Sequence, residues 1–215
     1  MTRERIGIFG GTFDPIHIGH LAVAERACDE LGIARILFVP AMKPPHKPHR
    51  VISPIADRLR MLELAISGNE RFGWSDVDLR PDKPSYTVEM LEELARRHPD
   101  NDFDFIVGAD SLRDFHTWHQ PERILELARL IVADRPGVVV NNATYEGISG
   151  YGDRIVRFAA PLLEVSSTDL RQRRALGKSI RYLVPEPVFA YIHERGLYTQ
   201  DAAAARIEET ESHSV

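Results

Sequence analysis

The sequence predicts an α/β fold: a Rossmann-like, doubly wound, mainly parallel sheet with helices on both faces and a C-terminal helical piece. Three observations carry that expectation. Short apolar runs alternate with amphipathic stretches along most of the chain, the signature of βα units. The first apolar run leads through two glycines straight into a helix pattern. The length, 215 residues of which 43% are hydrophobic, allows a sizeable core.

The elements follow in order. Strands are expected at Ile6–Phe9, Arg35–Val39, Phe72–Val77, Phe103–Val107, Leu130–Ala133 and Arg154–Phe158. Helices are expected at Ile18–Leu31, Pro54–Ile66, Thr87–His98, Ser111–Thr117, Pro121–Ala128, Ser167–Ala175 and Pro185–Arg195. Ser53 has the chemistry of an N-cap, with Pro54 in the first turn. Pro121 and Pro185 suit early helix positions, and Gly32 and Gly196 suit helix ends. The pattern predicts a single domain over residues 1–200, with its helical part at about 165–198, and a flexible tail over 201–215 that is alanine-rich, then polar and acidic. Two further stretches read as loops. Pro40–Ser53 is proline-rich and strongly basic, and Asp134–Gly152 is rich in Gly and Asn.

Composition excludes several classes. The 27 basic and 32 acidic residues leave a net charge of −5, which argues against a general nucleic-acid binder. The one cysteine, Cys28, has no partner for an internal disulfide and falls in the first helix pattern, where a small packing residue fits. Met1–Arg5 leads directly into a strand without the apolar region of a signal peptide, and no run approaches the roughly 18 apolar residues of a membrane span. The expectation is a soluble cytoplasmic protein without a membrane partner. Monomer and homodimer both stay open.

Two motifs carry chemistry. Gly10-Gly11-Thr12-Phe13-Asp14-Pro15-Ile16-His17-Ile18-Gly19-His20 makes a tight turn between strand and helix. His17 and His20, three apart, fall near one helix face. A helix entrance offers N–H groups and a partial positive charge, so this is an anion site. Val165-Ser166-Ser167-Thr168-Asp169-Leu170-Arg171 places hydroxyls at another helix start, with Arg171 one turn further in. That makes a second phosphate cradle, although Ser-Ser-Thr is also an ordinary cap. In an open parallel sheet ligands bind at the carboxyl ends of strands. The first motif, Val39–Lys47 and Gly108-Ala109-Asp110 all follow strand candidates, which predicts that they share one edge.

Other patterns carry nothing. Gly177-Lys178-Ser179 ends like a phosphate loop, but Gln172 stands where its first glycine is needed. His46 and His49 lack a third ligand for zinc.

The two cradles together resemble the nucleotidyltransferases of the HxGH superfamily. Further pieces fall in the same order: Pro44-Pro45-His46-Lys47, Ser85-Tyr86-Thr87, Gly108-Ala109-Asp110, Trp118, Arg135-Pro136-Gly137, Tyr182-Leu183-Val184-Pro185 and the ending from Tyr191 to Tyr198. From Arg5 to Tyr198 the set is similar to the bacterial nicotinate mononucleotide adenylyltransferases. The resemblance implies transfer of the adenylyl group of ATP to nicotinate mononucleotide, with Mg²⁺ carried by ATP phosphates rather than by a protein metal site. It implies that His17 and His20 contact ATP phosphates and steady the transition state. Gly10, Gly11 and Thr12 form the turn and offer backbone N–H groups, while Phe13 and Asp14 shape it. Gly19 leaves room for the nucleotide. Ser167, Thr168 and Arg171 hold the outgoing phosphates. For the mononucleotide it implies Lys47, with His46 second, at a phosphate, aided by Arg135. Asp110, following Gly108, lies near ribose hydroxyls, Trp118 stacks on the pyridine ring, and N–H groups near Thr87 and His119 receive its carboxylate. Core packing is the competing role for Trp118, helix capping for Asp110, and a solvated loop charge for Lys47. The alternatives in function are another adenylyltransferase such as a phosphopantetheine adenylyltransferase, a nucleotide-binding regulator without turnover, and an NAD-dependent oxidoreductase, which lacks its glycine fingerprint here.

Overall fold

The computed structural model describes residues 3–44, 52–134 and 152–200. The chain forms two compact units. The first comprises Met1–Gly11, Ala22–His46 and Asn69–Leu162, the second Thr12–Leu21, Lys47–Gly68 and Leu163–Val215.

The first unit holds the sheet. Its strands are β1 (Glu4–Gly11), β2 (Arg35–Pro40), β3 (Phe72–Trp74), β4 (Asn101–Gly108), β5 (Ala128–Asp134) and β6 (Ile155–Ala159). Their order is β3-β2-β1-β4-β5-β6, and every pairing is parallel. This is the doubly wound order, with the reversal between β1 and β4. Parallel strands are covered on both faces, so they read as continuous apolar runs. One face buries Ile6, Ile8, Phe105, Val107, Leu130 and Val132 with side chains of α3 (Thr87–Arg97) and α5 (Pro121–Leu127). On the other, Gly7 leaves no room: a Cβ there would stand 2.4 Å from Ile36 Cδ1 and 3.1 Å from Ile33 Cγ2. The helix α1 (Ile18–Leu31) buries the small residues Ala24, Ala27 and Cys28, the last as the sequence predicts. It ends at Gly32, whose φ of 63° is open to glycine at no steric cost.

The run in β4 is broken by Asp104, which is fully buried. Arg5 on β1 donates to its Oδ1 at 3.0 Å, and Arg129 on β5 donates to both oxygens at 2.8 and 2.7 Å. Register explains the fork, because Arg129 stands directly opposite Asp104. A buried carboxylate is tolerable only when paired in this way.

Some elements differ from expectation. β3 stops at Trp74, because Ser75 N–H closes the last ladder bond to Phe38 and the chain turns at Asp76–Leu79. The helix expected over Ser111–Thr117 is a five-residue α4 (Ala109–Arg113) followed by a 3-10 turn at Phe115–Thr117. Ser53 does not cap α2 (Ile55–Ile66). Pro54 holds the N-cap position, and Ser53 lies buried. Among the described residues no helix is long and apolar enough to cross a membrane.

The second unit joins three stretches distant in sequence. It contains the Thr12–Leu21 turn, α2, α6 (Ser167–Ala175) and α7 (Glu186–Glu194). Tyr191 O–H on α7 donates to Asp57 Oδ1 on α2 at 2.8 Å. Met61, Leu62, Leu170, Val188 and Ile192 are buried in this unit. The C-terminal helices α6 and α7 thus share this unit with α2 and the turn from Thr12, while Gly10 and Gly11 belong to the first unit. Both units are discontinuous in sequence, so no shift in composition marks their borders.

Candidate active site

The turn after β1 brings His17 and His20 together. Their rings stack at 3.6 Å between centroids, 21° from parallel. His17 is buried, and desolvation of its charged form pushes its pKa down to about 4. Its Nδ1 has no hydrogen-bond partner among the described residues. His17 N–H donates to His20 Nδ1 at 3.2 Å. With Nδ1 an acceptor, the proton of a neutral His20 sits on Nε2. So the pair is a buried, neutral ring supporting a half-buried one whose tautomer the backbone selects.

The helix entrance differs from a row of open amides. His17 N–H is taken by His20, and Ile18 N–H donates to Leu183 carbonyl at 3.2 Å. His20 and Leu21 N–H both return to the His17 carbonyl. Gly19 also has a neighbour that the sequence does not announce. A Cβ there would stand 3.1 Å from His17 Nδ1, so the space at Gly19 belongs to that ring.

The second motif meets the first. Ser166 caps α6, its Oγ accepting Asp169 N–H at 3.1 Å. Ser167 Oγ donates to Pro15 carbonyl at 2.9 Å. Arg171 donates to Asp14 carbonyl at 2.6 Å and to Thr168 Oγ1 at 3.2 Å. Residues far apart in sequence thus meet, with a hydroxyl and a guanidinium of α6 holding the carbonyls of the turn that leads into His17 and His20. Such donors fit phosphate oxygens. They are not a hard-cation cage, which takes carboxylate and carbonyl oxygens.

Behind the turn lies a polar network. Asp14 is buried; its Oδ1 accepts Tyr198 O–H at 2.8 Å and its Oδ2 accepts Ser53 N–H at 3.3 Å. Arg58, also buried, donates to Ser53 carbonyl at 3.1 Å and to Thr12 carbonyl at 2.8 Å. Sequence reading misses Arg58. Its signal is an arginine one turn before Met61 and Leu62, on the buried stripe of α2.

The first unit holds the other candidates. Gly10 and Gly11 end β1, beside Val39 and Pro40 of β2, and Ala41 N–H donates to Gly11 carbonyl at 2.8 Å. The carboxyl ends of these strands do share one edge of the sheet. Gly108 closes β4 and is the N-cap of α4, which puts Asp110 inside that helix rather than at its cap. Trp118 is half-buried, packed against Phe105 and Phe115 with centroids 6.1 and 5.4 Å away. Tyr86, the N-cap of α3, lies against the exposed His119 ring at 4.6 Å, and Thr87 begins the helix. Ser85 and Lys43 exchange hydrogen bonds that fix this segment to the loop after β2. Lys47, His46 and Arg135 lie outside the described residues.

The chain belongs to the cytidylyltransferase-like family, whose model matches residues 8–173, and is a nucleotidyltransferase. Within it the chain is a member of the nicotinate-nucleotide adenylyltransferases. A relative from Thermomicrobium roseum, named "Probable nicotinate-nucleotide adenylyltransferase", is 50% identical over 91% of this chain and 92% of its own length. One from Rubrobacter xylanophilus with the same name is 44% identical over 95% and 96%. The fold matches the Plasmodium falciparum nicotinic acid mononucleotide adenylyltransferase complexed with APC. The TM-score is 0.75 at 19% identity, over 91% of this chain and 97% of that one.

Proposed function

We propose that the chain transfers the adenylyl group of Mg²⁺-bound ATP to nicotinate mononucleotide. A phosphate oxygen of the mononucleotide attacks the α-phosphorus in line. A new P–O bond forms, the bond to the β-phosphate oxygen breaks, and nicotinate adenine dinucleotide and pyrophosphate result. The nucleophile is already ionised, so positioning and cationic donors dominate and no strong base is needed. The observation that carries this reading is the union of the two cradles through Ser167, Arg171 and the Asp14–Pro15 carbonyls.

His20, with His17 packed behind it, donates to charge developing on the transferred group. Ser167, Thr168 and Arg171 receive the departing phosphates. Gly10, Gly11, Thr12 and Phe13 carry the turn on which this geometry rests. On the acceptor side, Trp118 offers a ring face to the pyridine, Thr87 and His119 meet the carboxylate, and Gly108 and Asp110 meet the ribose. Lys47 and Arg135 supply cations to the phosphate.

The test compares kcat/KM for nicotinate and nicotinamide mononucleotides with Mg²⁺-ATP, following pyrophosphate. We expect about tenfold or greater preference for the acid, since the two differ by a full charge at a polar site. Equal use would overturn the specificity, and turnover of phosphopantetheine alone would overturn the acceptor.

A further inference from the structure

We infer that Arg58 is a positioning residue for the adenylyl transfer, acting through the Thr12–Pro15 turn; the inference rests on the function proposed above. Three carbonyls of that turn are held by side chains. Arg58 takes Thr12, Arg171 takes Asp14 and Ser167 takes Pro15. Arg171 and Ser167 belong to the phosphate cradle and are partly exposed. Arg58 is only 2% exposed, so its hold on the turn does not depend on ligand.

That hold has a direction. In a planar trans peptide the C=O and the following N–H point to opposite sides. With Thr12 C=O turned onto Arg58, the N–H of Phe13 is turned away from the buried network. Phe13 has a φ of 48°, a left-handed conformation that a bulky residue keeps only when its surroundings enforce it. Its buried ring then meets His20 edge-on, with centroids 5.3 Å apart at 83°. The path from Arg58 therefore reaches His20 through one peptide plane and one aromatic ring.

The remaining contacts keep Arg58 itself in place. Its second bond goes to Ser53 carbonyl, while Ser53 N–H goes to Asp14, the residue whose carboxylate Tyr198 O–H also holds. Burial pulls the guanidinium pKa below its ordinary value, and the nearby Asp14 charge opposes that pull. For stability alone, an apolar side chain matching Met61 and Leu62 would fill this position as well as a desolvated charge does. A guanidinium adds two directed bonds, and one of them sets the turn.

The experiment uses Arg58→Met and Tyr198→Phe in the full chain. Calorimetric titration with the α,β-methylene analogue of ATP reads the turn without an acceptor, and kcat for pyrophosphate release reads its catalytic consequence. Both are taken well below the melting temperature, where a folded variant is fully native. We expect Arg58→Met to bind the analogue about tenfold more weakly and to lose about 100-fold in kcat, the scale of a misplaced catalytic group. Tyr198→Phe should lose about threefold in kcat, as expected for one hydrogen bond of a network. A purely structural role would lower the melting temperature and leave both readouts unchanged in the folded protein, and that result overturns the inference. If Arg58→Met does not fold, unchanged values for Tyr198→Phe overturn it equally. Failure of the wild-type chain to release pyrophosphate with nicotinate mononucleotide would instead overturn the proposed function, and the analogue titration still decides the role of Arg58.

Discussion

His17 and His20 have the same chemistry and are three residues apart, yet the structure gives them different surroundings. His17 is buried and neutral, and it spends its backbone N–H on fixing the ring of His20. His20 is half-buried, and its Nδ1 accepts that N–H, which leaves Nε2 as its donor nitrogen. Removing that donor should cost transition-state stabilisation more than ground-state binding. We expect His20→Ala to melt within a few degrees of wild type and to lose about 10²–10³ in kcat, with a small change in KM for ATP, as for loss of one preorganised donor. Steady-state pyrophosphate release checks this.

β4 shows how an element accommodates a charge in its interior. Asp104 and Asp102 are two residues apart on one strand and face the same side. The side chain of Asp104 has no exposed surface and is held by Arg5 and Arg129, whereas Asp102 is 44% exposed beside Arg3 and Arg5. Removing a buried partner strands the others, while an exposed pair contributes little. Asp104→Ala should therefore destabilise the protein by about 3 kcal/mol. Asp102→Ala should change stability by less than about 1 kcal/mol. Denaturant midpoints at constant m-value separate the two, and similar midpoint shifts would overturn the assignment.

Across the whole molecule, two buried groups give opposite responses to pH. His17 titrates at about 4 when folded and near 6.5 unfolded. Between these values the unfolded chain binds the extra proton, so this contribution to stability is full above 6.5 and is lost as pH falls toward 4. Asp78, buried beside Ser85 and Arg80, is pushed up to about 6 from 3.8 by desolvation. There the folded chain keeps the proton, so stability falls as pH rises from 3.8 to 6. Between pH 4 and 6 the difference between wild type and His17→Gln should rise with pH, and that between wild type and Asp78→Asn should fall. Each slope approaches about 1.4 kcal/mol per pH unit. Unfolding free energies at pH 4, 5 and 6 test both signs, and parallel slopes would contradict the burial of one group.

The alternation of apolar runs with helix patterns determined the parallel sheet, because strand and helix periodicities are local properties of side-chain order. The two motifs that meet at the Asp14–Pro15 carbonyls were equally legible, since glycines, histidines and a hydroxyl–arginine start announce themselves by spacing. Tertiary structure decided which of those groups touch and which are buried. It joined Asp14 to Arg171, drew α2 into the helical unit beside the turn, and placed Arg58 and Tyr198 behind it. It also buried His17, which lowers its pKa, and set that imidazole against Gly19. Desolvation and long-range hydrogen bonds depend on three-dimensional neighbours, and a spacing along the chain carries no information about them.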